Sequence, residues 1–373
     1  MIPLSSFVFK VASRCNLDCT YCYEYNMGDS SWRVQPKAMS EETARIGAHR
    51  VIEHCRAHGF TNVDISLHGG EPLAIGPEKL GAIIRTIKEE LEPHCRLQLG
   101  LQTNGTLLDA KMLALLEAER VSIGVSFDGP PEVNDKIRIY KDGRGSSAKT
   151  IEALERLRGS PSFAGMLAVI HIDADPLKVW RYLAAFDPPS LDFLLPHGNW
   201  ESFPPGKTRD NKPYAEWLIP IFDDWFGNYK SDIRIRFFEE IILRLLGGKG
   251  SLESLGLEPV VLGVIAANGA YEAVDTLKSA FPGAHSLKMH TSTHSLNDVL
   301  LHPSVAIRQQ GIDAVSKICQ QCSVVQVCGA GYFPHRYSKS HGFMNPSVFC
   351  NDIAALIDHI GVQIASARGK SCA

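Results

Sequence analysis

The 373-residue sequence contains no apolar run approaching the roughly 18 residues needed to cross a bilayer. Its first ten residues lack the basic start and long apolar core of a secretory signal. These absences predict a cytoplasmic protein with no membrane partner. A formal charge of -3 supplies no polybasic surface, so nucleic acid is not an expected partner either. There is no internal repeat and no low-complexity segment. Cysteine is missing between Cys95 and Cys319, a gap that divides the ten cysteines into groups. What is present is ordinary for a globular chain with a substantial core: 45% hydrophobic and 21% charged residues.

Seven cysteines fall into two short-spaced sets, Cys15, Cys19, Cys22 and Cys319, Cys322, Cys328, Cys350. In a reducing compartment such spacing points to metal ligands rather than disulfides. Cys55, Cys95 and Cys372 stand apart and are expected to be structural or incidental.

Strand and helix signals alternate through the first half. Phe7–Val11 is an apolar strand leading into the first cysteine loop. Ser40 caps a helix with Glu41 and Glu42 in its first turn, ending at His58 before Gly59. Further strands are expected at 63–67, 97–102, 122–126, 166–172 and 192–195. Helices between them cover a segment ending near Pro93, then 109–119, 147–158 and 176–186. Six such units predict an α/β fold, a partial (β/α)6 barrel built on a parallel sheet. Loops after the strands of such a barrel share one mouth. Cys15–Cys22, Gly69–Pro72, Asn104, Asp128 and His197 all lie in such loops.

Beyond residue 200 the rhythm changes. Helices are expected at 214–229 and 236–246, then a β-hairpin over 260–274 in which Asn268-Gly269 suits a type I′ turn. A final helix is expected over 351–365. The expected organisation is a barrel over 1–200, a helical connection over 201–258 and a cysteine-bearing domain over 259–373.

Three thiolates can hold three irons of a [4Fe-4S] cube and leave the fourth iron open to a small molecule. Structural zinc prefers four ligands, and only His49 or His54 offers a fourth here. Cys15-Asn16-Leu17-Asp18-Cys19-Thr20-Tyr21-Cys22 resembles the signature of radical S-adenosylmethionine (SAM) enzymes, including the aromatic Tyr21 before the third cysteine. The resemblance implies a catalytic [4Fe-4S] cluster whose open iron is chelated by SAM. Reduction would then release a 5′-deoxyadenosyl radical that takes a hydrogen from substrate. An electron donor such as flavodoxin or ferredoxin is implied as a partner. Gly69-Gly70-Glu71-Pro72 is similar to the segment contacting the SAM amino group in that family. Asn104 in Gln102-Thr103-Asn104-Gly105, Ser126 and Arg138 are similar to groups lining the SAM ribose and carboxylate.

The second set has four thiolates, which close a site. It resembles the C-terminal part of the SPASM domain of radical SAM peptide maturases and implies one auxiliary [4Fe-4S] cluster; a structural zinc site of four cysteines is the alternative. With Val274 where a further ligand would fall, the domain resembles a truncated SPASM domain.

A broader resemblance spans Phe9–Cys15, Asp29–Arg33, Leu194–Trp200, Cys328–Tyr332, His335–Tyr337 and Asn345–Cys350. These segments are similar to cyclophane-forming maturases of the FxsB type. Such enzymes join an aromatic ring carbon to the Cβ of a residue two positions along, and the partner implied is a ribosomally synthesised precursor peptide. No separate leader-binding domain is expected ahead of the first strand, so an exposed sheet edge is one docking mode. Ala330 and Phe349 depart from the family pattern, and neither is expected to touch a ligand. His197 is the candidate base by residue type. Trp200, Tyr214, Trp217, Trp225 and Phe237 are candidates for an aromatic pocket or for core packing. Thioether formation and sulfatase-type oxidation of cysteine or serine are the alternative reactions.

Overall fold

The computed structural model describes residues Met1–Gly227 and Asp232–Ser371. Cys372 and the end of the helix expected at 214–229 lie outside the described residues. The chain forms two compact units. The first comprises Met1–Phe127, Pro131–Leu167 and Val260–Ile307. The second comprises Asp128–Pro130, Ala168–Pro259 and Arg308–Ala373. Among the described residues no helix is long and apolar enough to cross a membrane.

In the first unit, β1 (Ser6–Ala12), β2 (Asn62–Gly69), β3 (Arg96–Thr103), β4 (Ser122–Ser126) and β5 (Phe163–Val169) lie side by side. Every pairing among them is parallel. The connections are α1 (Glu41–His58), α2 (Pro77–Leu91) and α3 (Ala110–Ala118), then α4 (Pro131–Asn134) and α5 (Ser147–Leu157). Local sequence explains where these helices begin and end. Ser40 accepts from the Thr43 N–H, and Asp109 accepts from the Met112 N–H. Gly59 closes α1 at φ 71°, the left-handed conformation that a C-cap glycine adopts without strain. Phe7, Phe9, Val11, Ile65, Leu67, Leu101, Ile123 and Val125 are buried between the sheet and these helices. Burial keeps the strands in one register, because a one-residue slip would turn these side chains outward.

Residues 260–307 depart from the expected organisation. β8 (Leu262–Ile265) pairs in parallel with β1, Phe7 opposite Gly263. β9 (Ala270–Glu272) and β10 (Ser286–His290) extend the sheet antiparallel from there. The segment therefore belongs to the compact unit of the first cysteine set, not the second. The hairpin exists as expected, but its turn is not type I′, which needs φ above zero at both central residues. Only Gly269 has positive φ, at 89°, and its N–H donates to Ala266 O.

In the second unit, β6 (Ser190–Leu194) and β7 (Arg234–Ile235) pair in parallel. Around them lie α6 (Pro176–Ala184), α7 (Pro213–Gly227), α8 (Arg236–Leu245) and a closing helix, Cys350–Ser371. Tyr214, Trp217, Trp225 and Phe237 are buried here. The polar atoms of the first three are spent on backbone carbonyls: Tyr214 on Pro205, Trp217 on Ala174 and Trp225 on Ile233. These four are core, and Trp200 alone of the five candidates is half-exposed.

One buried histidine gives the first unit a pH dependence. His54 Nε2 accepts from the Leu4 N–H at 3.0 Å, and its Nδ1 lies 2.9 Å from Asn297 Oδ1. Burial, helped by the neighbouring His58, lowers its pKa to about 4. The unfolded chain takes up this proton near its ordinary value of about 6.5. Stability is therefore constant above that value and falls as pH drops from about 6.5 to about 4. We expect His54→Gln to remove about 1–2 kcal/mol of the difference in unfolding free energy between about pH 7.5 and about pH 5. An unchanged difference in thermal or denaturant unfolding would show that His54 is not its source.

Candidate active site

Parallel pairing brings the carboxyl ends of β1 to β4 to one side of the first unit. Ala12 lies opposite Gly69 there, and Thr103 is the last residue of β3 paired to β4. The cysteine loop leaves β1 and is stitched to the segment after α4. Asp18 N–H donates to Ile139 O at 2.7 Å and Thr20 N–H to Ile137 O at 3.0 Å. Cys15, Cys19 and Cys22 are partly buried and close enough to repel one another electrostatically. Burial first, then Glu71 and the neighbouring thiols, pushes the Cys15 thiol up to about 12; burial and Cys19 do the same to Cys22.

Gly69 and Gly70 are fixed by the loop itself. A Cβ on Gly69, which sits at φ 133°, would lie 1.9 Å from Ala12 O. One on Gly70 would lie 1.9 Å from Tyr25 Oη and 2.5 Å from the Arg14 carbonyl. The close approach that demands glycine is thus to backbone at the start of the cysteine loop, a role the sequence did not suggest. Glu71 is likewise occupied by protein. Its Oε1 accepts from Thr103 Oγ1 at 2.6 Å and Leu73 N–H at 3.0 Å, and its Oε2 accepts from Asn104 N–H at 2.8 Å. Burial raises its pKa against these three donors. Glu71 thereby locks the loop after β2 to the loop after β3, while Pro72 starts a buried 3-10 turn, Pro72–Ile75.

Asn104 extends the lock to the first cysteine. Its Nδ2 donates to Asn16 Oδ1 at 3.0 Å and lies 3.8 Å from Cys15 Sγ, which also accepts from the Leu17 N–H at 3.4 Å. Arg138 is buried, donates to Tyr21 Oη and carries its guanidinium 6.0 Å from the centre of that ring. Ser126 Oγ accepts from Gln102 Nε2 at 2.8 Å. The structure thus ties Tyr21, Gly69, Gly70, Glu71, Asn104 and Arg138 to the cysteine loop within one unit, with Pro72 next to Glu71 and Ser126 at the end of β4 against Gln102. Asp128 Oδ1 accepts from the Val169 N–H at the end of β5 at 2.9 Å.

The donor set fits an iron-sulfur cluster. Three thiols share one loop, two groups donate to Cys15 sulfur, and neither candidate histidine offers a fourth ligand. His49 is paired with Glu90, and His54 is used by Leu4 and Asn297. Burial raises the pKa of the Cys15 and Cys22 thiols, so a cation that binds them must displace their protons.

Sequence reasoning missed the far side of this loop. Tyr23, next to Cys22, donates to Asp275 Oδ2 at 2.9 Å, and His68 Nδ1 lies 3.7 Å from the same oxygen. Lys10, His68 and Lys278 hold the Asp275 carboxyl down to about 2 against the effect of burial. The available signal was Lys10, a lysine between the apolar residues Phe9 and Val11 of a strand.

In the second unit Cys319, Cys322, Cys328 and Cys350 come together. Cys328 is influenced by Cys350 and Cys319, and Cys350 by Cys319 and Cys322. Cys350 opens the closing helix, where the positive helix end favours a thiolate. Gly329, Ala330 and Gly331 follow Cys328 with φ of 61°, 65° and 70°. Arg336 fixes this left-handed run by donating to Gly329 O and Gly331 O. Ala330 adopts a left-handed φ of 65°, a conformation that glycine takes up without the Cβ penalty. His197 follows β6, its ring 6.2 Å from Tyr332 and 5.7 Å from the buried His335.

Comparison with known proteins supports the reading of the loop. Residues 9–177 match the Radical SAM superfamily. The Cysteine-type anaerobic sulfatase-maturating enzyme of Clostridium perfringens is 26% identical over 261 residues, covering 67% of this chain and 68% of that one. The solved structure of native anSMEcpe with bound AdoMet and Kp18Cys peptide has a TM-score of 0.83 at 21% identity, covering 99% of this chain and 100% of that one. Streptococcus suis SuiB bound to precursor peptide SuiA has a TM-score of 0.62 at 13% identity, covering 94% of this chain and 76% of that one. These likenesses give the fold, a radical SAM α/β fold built on a parallel sheet. The cysteine loop and the loops assembled around it all fall within the matched residues, so this part of the chain is similar to the Radical SAM superfamily.

Proposed function

We propose that this protein is a peptide maturase that forms a cyclophane, joining an aromatic ring carbon to the Cβ of the residue two positions along in a ribosomally made precursor. One observation carries the reading. The segments that resemble cyclophane formers, scattered from 194 to 350, interlock in the second unit. Trp200 N–H donates to Tyr337 O at 3.0 Å and its Nε1 to Pro346 O at 2.8 Å. Val348 N–H donates to His335 O at 3.1 Å, and His197 packs on Tyr332 and His335. Peptides are bound by both solved relatives named above, which supports a peptide as substrate.

When bound, SAM and the cluster supply a carbon radical able to remove a hydrogen atom from an unactivated Cβ. The protein's part is to hold the reacting atoms still. Arg138 and Tyr21 offer a cation and a hydroxyl to SAM, and Glu71, Thr103 and Asn104 keep the loops from moving. Adding the Cβ radical to the ring leaves one electron and one proton to lose. His197 is the proposed proton acceptor, and a cluster on Cys319, Cys322, Cys328 and Cys350 the proposed electron acceptor. Flavodoxin or ferredoxin is the proposed donor for the catalytic cluster.

A second reading, oxidation of a cysteine or serine to an aldehyde, is favoured by the similarity to the C. perfringens sulfatase-maturating enzyme. Product mass separates the two. Co-expression with a short precursor peptide carrying an aromatic-x-x motif is expected to remove two hydrogens per crosslink and add no atom. Tandem mass spectra should be silent across a three-residue segment beginning with an aromatic residue. Deuterium at the third residue's Cβ should appear in 5′-deoxyadenosine. Loss of sulfur with gain of oxygen, or an aldehyde that reacts with hydrazine, would assign the second reading instead.

A further inference from the structure

A cluster of buried charges in the first unit has no part in the site as described. Glu24, two residues after Cys22, is 5% exposed. Lys10 on β1 donates to its Oε1 at 2.9 Å and its Oε2 at 3.0 Å, and Lys278 donates to Oε1 at 2.6 Å. Lys10 also reaches Glu272 Oε2 on β9 at 3.2 Å, and Lys278 lies 3.9 Å from Glu272 Oε1. Asp275 adjoins the group and accepts from Tyr23, the residue between Cys22 and Glu24. All five charged side chains are buried.

Stability does not account for such a group. Each buried ion forfeits several kcal/mol of hydration, and well-packed apolar residues in place of a buried ion pair are often neutral or better. The group instead has a specific attachment, since both residues immediately after the third cluster ligand are tied into it. Two strands and the turn at 275–279 hold it from behind. In this dry setting a fixed charge acts on a neighbouring cluster with little screening. The carboxylate of Glu24 opposes the addition of an electron there, and the two ammonium groups favour it.

We propose that Lys10, Glu24, Glu272 and Lys278 form a charge clamp that fixes the Cys22 end of the loop and sets the reduction potential of the cluster held there. These are positioning residues, and none needs to touch SAM or substrate. The 260–307 segment thereby carries half of the clamp to the catalytic loop.

The test is a potentiometric titration of the anaerobically reconstituted full chain, followed by EPR. The signal read is the one that changes when SAM is added, with iron content measured alongside. Glu24→Gln should raise the midpoint and Lys10→Met should lower it. The net-neutral pair Lys10→Met/Glu24→Gln should return toward the original value. If a single variant loses iron, Lys278→Met decides, because it leaves β1 and the loop intact and should also lower the midpoint. Midpoints unchanged at full iron content, or shifted in the same direction by Glu24→Gln and Lys10→Met, would overturn the clamp. A parent protein with no SAM-sensitive signal would instead contradict the placement of the catalytic cluster.

Discussion

Replacing Cys15, Cys19 and Cys22 together by alanine is expected to abolish reductive formation of 5′-deoxyadenosine while leaving the chain folded. These thiols are the proposed cluster ligands of the first loop, and the loop is also tied by hydrogen bonds that involve no sulfur, among them Asp18 to Ile139, Thr20 to Ile137, Glu71 to Arg14 and Arg138 to Tyr21. Those hydrogen bonds do not depend on sulfur, so the architecture should persist. The reconstituted parent should hold about eight irons and the triple variant about four, retained on the second set. 5′-Deoxyadenosine still formed by the variant would refute the catalytic assignment. A parent that saturates at about four irons, with zinc at Cys319, Cys322, Cys328 and Cys350, would refute the auxiliary cluster alone.

Gly70→Ala is expected to have an effect nearly as large from a single methyl group. The added Cβ meets Tyr25 Oη and the Arg14 backbone, and the backbone has no easy retreat. Gly70 N–H donates to Ala12 O at 2.9 Å and Glu71 N–H to Arg14 O at 3.0 Å, so both sides of the contact are pinned. Displacing Arg14 displaces Cys15, and about 1 Å at a reacting centre costs on the order of a hundredfold in rate. SAM cleavage should fall by about that factor. Gly100→Ala is the control, because its Cβ would meet nothing nearer than 3.8 Å and should leave cleavage unchanged. Equal activity in the two variants would mean that the loop tolerates movement at Arg14.

Much of this was legible in the chain because its signals are local. β4 runs from Ser122 to Ser126 as its apolar alternation and flanking turns indicate, and Ser40 and Gly59 bound α1 as a cap and a stop should. The cysteine loop is local too, with its ligand spacing written in eight consecutive residues. What was hidden depends on partners distant in sequence. Nothing in Leu262–Ile265 announces that it will lie beside Phe7. Glu24, Glu272 and Lys278 look individually like solvated surface charges. β5 begins at Phe163 rather than 166 because its pairing with Ile123 sets the start, not its own most apolar stretch. The backbone contacts of Gly69 and Gly70 were hidden for the same reason, since a glycine shows that something comes close but not what.

The pairing of β8 with β1 also bears on how the protein is made. One of β1's two neighbours in the sheet is synthesised about 250 residues after it. At about 5–20 residues per second, the nascent chain spends on the order of ten to fifty seconds with that edge uncovered. The exposed edge would carry Phe7 and Phe9, residues buried once folding is complete. An unpaired strand edge of this kind is a template for pairing with other chains. Lys10 lies in the same strand, and a charge there discourages such pairing until Glu24 and Glu272 neutralise it. The lysine would then serve first as a guard against aggregation during translation.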